Sequence, residues 1–176
     1  PTMPDGVGFD GRTPGCVWHR LFIDGCIPEG CEVVVETRAH DERERLAEQA
    51  WSREPELYLR GTGSELPYTG VVGGARGQRE GTWELLFQRA QGRFLELRFR
   101  FTASGRVTPT LRALRVHYPR FSYLERYLPA VFRNEEASAS FMDRYLSNVE
   151  GMLTELEGRI AQAQATGIAR DRLILD

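Results

Sequence analysis

The stretch from Tyr118 to Ile160 decides the fold; it reads YPRFSYLERYLPAVFRNEEASASFMDRYLSNVEGMLTELEGRI. Before it, apolar and polar residues alternate as in β-strands, and after Ser138 the apolar residues recur at helical spacing. The joint between these halves, residues 119–137, is aromatic, whereas a flexible linker would be rich in Gly and Ser. It therefore predicts a docked segment in which five residues fix the angle between the two halves: Phe121, Tyr123, Tyr127, Leu128 and Phe132.

Residues 138–176 predict a helical segment whose main helix is long, amphipathic and ends near Gly167. Its apolar residues fall on one stripe at steps of three or four, and Leu153 widens it. A helix of about eight turns, roughly 40 Å long, is longer than a small sandwich can cover. The stripe is therefore predicted to be a partner interface buried by helices of other chains, and it consists of Phe141, Tyr145, Val149, Met152, Leu153, Leu156 and Ile160.

Residues 16–118 predict an antiparallel β-sandwich, because several short alternating segments are separated by Gly and Pro turns. The fold class is thus α+β: a sandwich, an aromatic joint and a long C-terminal amphipathic helix. A closed barrel is the alternative. Residues 1–15 predict an extended arm, Asp24-Gly25 a turn, and Gly61–Gly81 a long surface loop.

Two segments show how the strands are expected to face. In Gly92–Thr102, the residues predicted to face the core are Leu95, Leu97, Phe99 and Phe101, and the charged residues between them face solvent. In Val17–Ile23, alternation places Leu21 and Ile23 on one face and Trp18, Arg20 and Phe22 on the other. Leu111 has the wrong parity for the core face of the last strand, which predicts a bulge near Arg112-Ala113.

Composition argues against several classes of partner and setting. The net charge of −2 provides no basic field, so nucleic acid is not an expected partner. No apolar run approaches the ~20 residues that a membrane-spanning helix needs. Three cysteines and no signal-peptide pattern predict a reduced, cytoplasmic setting.

No catalytic or cofactor-binding constellation is expected from the sequence. A zinc site can be drawn from Cys16, His19, Cys26 and Cys31, but their spacing is not that of the usual paired zinc ligands. Small buried residues in and around the first strands are the preferred interpretation. The sequence therefore predicts a binding or assembly protein, with no enzymatic activity, metal or cofactor.

A carbohydrate-binding module is the alternative function. Trp51, Trp83 and the Gly61–Gly81 loop would form its site on one face of the sandwich, and the helix would serve as a tether. Aromatic residues in strands are more often part of the core, which makes assembly the preferred interpretation.

From Tyr118 onward the chain resembles a tail-protein family of contractile phage tails and phage-tail-like injection particles. The resemblance is carried by YPR at Tyr118–Arg120, SYL at Ser122–Leu124, RYLPAVFR at Arg126–Arg133 and FMDRYL at Phe141–Leu146. It implies a baseplate wedge subunit, similar to tail protein I, in a particle assembled in the cytoplasm. Such a subunit forms a helical bundle with other wedge subunits, and its wider partners are sheath and hub proteins.

Overall fold

The computed structural model describes residues 7–60 and 80–168, except for the side chains of Val7 and Glu155. The chain forms two compact units, and among these residues the first ends at Phe121 and the second begins at Ser122. Two four-stranded antiparallel sheets are followed by a 30-residue helix, which confirms the predicted α+β sandwich and C-terminal helix.

Among the described residues, eight strands make up the two sheets of the first unit. The first sheet has the order β1-β7-β3-β4 and the second the order β5-β6-β2-β8. A short 3₁₀ helix, Arg43–Glu48, lies between β3 and β4. The strands are β1 (Val7–Asp10), β2 (Arg20–Cys26), β3 (Glu32–His40), β4 (Ser52–Arg53), β5 (Tyr58–Leu59), β6 (Glu80–Leu86), β7 (Phe94–Thr102) and β8 (Thr110–His117).

The core lies between the two sheets. Ile23 of β2 and its register partner Trp83 of β6 belong to the same buried cluster as Leu95 and Leu97 of β7, so both sheets contribute. Alternation had placed Leu95 and Leu97 in the core, as found. Phe101 was predicted to join them but is 45% exposed, because it lies near the end of β7, beyond the part of the strand that packs in the core.

Trp18 is also buried in this core, although alternation had placed it on the opposite face from Leu21. The regular strand begins only at Arg20, and the Trp18 backbone N–H donates to the carbonyl of Ala90. The indole Nε1 donates to the Gly92 carbonyl at 2.8 Å. The alternation of β2 therefore does not extend back to Trp18, and the indole packs in the core.

The outward face of β2, which carries Arg20 and Phe22, is buried as well. Arg20 forms a salt bridge with Glu84 of β6, and both side chains are about 5% exposed. The guanidinium groups of Arg60 and Arg115 lie 5.4 and 5.6 Å from the centroid of the Phe22 ring. Buried charges are tolerated when they are paired, and here they are paired across the strands of one sheet.

Two further expectations are corrected at the sheet edges. Residues 7–10, predicted as part of the extended arm 1–15, form β1 and pair with β7. Asp24-Gly25 was predicted as a turn, but both residues lie inside β2. The predicted bulge is confirmed: Asp24 pairs with Ala113 and Gly25 with Leu111, so Arg112 is the extra residue. Most of the Gly61–Gly81 loop lies outside the described residues.

Replacing Gly25 by alanine is expected to lower the free energy of unfolding by about 1–3 kcal/mol, the usual cost of overpacking. A Cβ at this position would overlap the backbone carbonyl oxygen of Thr110 in β8, and a backbone atom cannot rotate away. Gly8→Ala is the matched control, since a Cβ there meets nothing within 4 Å. Urea unfolding followed by tryptophan fluorescence compares the two variants, and equal midpoints would contradict the close approach of β2 and β8.

Acid is expected to weaken the first unit through His19. Burial is the main cause that lowers the pKa of His19, and the nearby Arg20, Arg120 and His117 lower it further, to about 3. The His19 Nε2 accepts a hydrogen bond from Arg20 Nε. In the unfolded chain the same group binds a proton below about pH 6.5, so the unfolded state binds more protons between pH 6.5 and 3. The free energy of unfolding should therefore decrease as the pH is lowered from 6.5 to 3.

The measurement is urea unfolding at pH 7, 6 and 5 for the wild type and for His19→Gln, which cannot take up the proton. We expect a smaller loss of stability in the variant than in the wild type. An identical pH dependence in both proteins would contradict a neutral, half-buried His19.

Candidate partner-binding site

Within its described residues, 122–168, the second unit contains two α-helices and one short 3₁₀ helix. Helix α1 spans Tyr123–Tyr127, the 3₁₀ helix Ala130–Arg133, and helix α2 Glu136–Ala165. Ser122 caps α1, because its hydroxyl oxygen accepts from the backbone N–H of Glu125 at 3.2 Å. The aromatic joint therefore folds as two short helical turns and is not an extended linker.

Helix α2 ends close to the predicted stop. The residue after its cap, Gly167, has a φ of 90°, and the N–H of Ile168 donates to the carbonyl of Ala163 at 3.1 Å. This is the left-handed glycine termination that satisfies the last carbonyls of a helix. At the other end Glu135 occupies the N-cap position without a side-chain capping bond.

Helix α1 packs on a polar face of α2. The Ser122 hydroxyl donates to Asp143 Oδ1 at 2.8 Å, and the Tyr123 hydroxyl donates to Glu150 Oε1 at 3.1 Å. Ser147 lies between these two acidic residues along α2 and is fully buried. Steps of four and three residues place all three on one side of the helix.

The apolar stripe lies on the other side of α2. Tyr145 and Val149 are each two positions from Ser147, and two residues correspond to about half a turn of a helix with 3.6 residues per turn. Met152 has the same offset from Glu150. The α1 contact thus occupies one side of α2 and leaves the stripe on the opposite side.

The predicted interface residues differ in exposure. Four are more than half exposed: Phe141 at 60%, Tyr145 at 54%, Met152 at 70% and Leu153 at 55%. The rings of Phe141 and Tyr145 stack on each other with centroids 6.3 Å apart. Val149, Leu156 and Ile160 are half-buried. The exposed four are the side chains most available to a partner.

The joint residues are also unevenly exposed. Tyr127 is 69% exposed and Phe132 46%, within the second unit, while Tyr123 and Leu128 are half-buried. Phe121, at the end of the first unit, is 48% exposed. The buried residue of the joint is Leu124, which the list of angle-setting residues omitted. The sequence does not distinguish Leu124 from the other bulky apolar residues of the joint.

The residues considered for zinc are not assembled into a site. Cys16 is buried in the core cluster, and burial raises the pKa of its thiol. Cys26 ends β2, and Cys31 donates from its thiol to the Val107 carbonyl. Within residues 7–60 and 80–168, no group of three or more His, Cys, Asp or Glu is arranged to hold a metal ion.

The two tryptophans of the carbohydrate alternative lie in different environments. Trp83 is 2% exposed in the core between the sheets. Trp51 is half-buried, with the guanidinium groups of Arg38 and Arg98 at 4.5 and 4.3 Å from its ring centroid. The alternating strand turned Trp83 inward, so the two indoles do not form a shared open platform.

Comparison with known proteins gives no family for this chain. It matches no protein-family model, no curated protein and no solved structure. The likeness to contractile-tail proteins therefore stays a prediction from sequence motifs.

Within residues 7–60 and 80–168, no helix combines the length and the hydropathy needed to cross a bilayer.

Proposed function

We propose that this chain is a structural subunit of the baseplate of a contractile tail or phage-tail-like injection particle. It assembles by packing α2 against helices of other wedge subunits and performs no catalysis. The observation that carries the proposal is the exposed apolar stripe on α2, opposite the side that α1 occupies. Large exposed apolar patches on a folded protein are typical of interaction sites.

The size of the stripe supports assembly through several contacts at once. Fully burying an apolar side chain contributes about 1.5–3 kcal/mol, and each of the four exposed residues has roughly half of that to gain. The sum, about 3–6 kcal/mol, is at the low end of the estimated cost of association, about 4–15 kcal/mol. One helix contact is therefore weak in isolation, and a particle with many simultaneous contacts suits it better than an isolated pair.

The edges of the described sheets favour the helix as the assembly element. β1, β4 and β5, at three of the four edges, contain four residues or fewer. At the fourth edge, β8 has eight residues but carries the Arg112 bulge and Arg115. Short strands, bulges and charges are the devices that protect edges from pairing with other chains.

The motif resemblance supports the choice of particle. RYLPAVFR, Arg126–Arg133, forms the end of α1 and the 3₁₀ helix, and FMDRYL, Phe141–Leu146, includes the first exposed residues of the stripe. Most of this stretch thus lies in the unit that carries the apolar stripe. Other wedge subunits are the proposed partners of that unit, with sheath and hub proteins as wider neighbours.

The test is to fractionate a lysate of the native source by high-speed sedimentation, probe the fractions for this chain and image the pellet by negative stain. We expect the chain to sediment with sheathed tubes, and antibody labelling to place it at one end of each tube. A chain found wholly as a soluble monomer, in a lysate that contains such particles, would refute the proposal.

A further inference from the structure

We draw no further inference here: the strongest candidate, the exposed apolar face of α2 around Phe141, Tyr145 and Met152, belongs to the site already described, and nothing in the structure shows what covers it.

Discussion

Replacing Met152 by aspartate is expected to abolish incorporation of the chain into particles while leaving both of its units folded. Met152 is 70% exposed at the middle of the stripe, so a charge there faces water in the free chain. In the proposed helical interface the same carboxylate would be buried without a partner, which costs several kcal/mol. Each loss of about 1.4 kcal/mol in binding free energy raises the Kd tenfold, so the Kd should rise at least about 100-fold.

Thr154→Asp is the matched control for this substitution. Thr154 is exposed on the same helix, and it lies seven residues, about two turns, from Ser147, on the side opposite the stripe. Co-sedimentation of each variant with sheathed tubes is measured in a source strain that lacks the wild-type chain, after circular dichroism has verified helix content. If both variants co-sediment equally, the stripe is not the interface.

The stripe and the end of α2 could be predicted from sequence because both depend on local spacing. A period near 3.6 residues identifies the apolar side of a helix, and Gly167 supplies the conformation that ends it. Which residues stay exposed could not be predicted. That depends on where α1 packs, and the hydrogen bond from Tyr123 to Glu150 joins residues 27 apart in sequence.

The outward face of β2 shows a second limit of sequence reasoning. Period-two alternation correctly places Leu21 and Ile23 on one face of β2, which the structure shows in the core, and Arg20 on the other. It cannot show that Arg20 meets Glu84, which is 64 residues away in sequence. Gly25 is a related case: its role is to let another strand approach, and the same residue type is also common in turns.

Replacing Glu84 by alanine is expected to lower the free energy of unfolding of the first unit by about 3–5 kcal/mol, the usual cost of removing one partner from a buried ion pair. The Glu84 carboxylate pairs with Arg20 and lies 3.6 Å from Arg60 Nε. The Tyr58 hydroxyl also donates a hydrogen bond to the Glu84 carboxylate. The pKa of Tyr58 is raised mainly by burial and further by this hydrogen bond. The variant leaves two guanidinium groups, each less than a tenth exposed, without this carboxylate.

Glu32→Ala is the matched control, because Glu32 also lies on a strand and pairs with an arginine, Arg53, at 3.1 Å. Both partners there are at least half exposed, and such surface pairs contribute about 0–1 kcal/mol. All three tryptophans lie in the first unit, so urea unfolding followed by their fluorescence reports on this unit alone. If Glu84→Ala loses no more stability than Glu32→Ala, the arginines on this face are stabilised by water and not by the Glu84 carboxylate.

Glu84→Gln separates the contribution of charge from that of hydrogen bonding. It keeps the shape of the side chain and one acceptor oxygen but removes the charge. We expect its free energy of unfolding to lie between those of the wild type and Glu84→Ala.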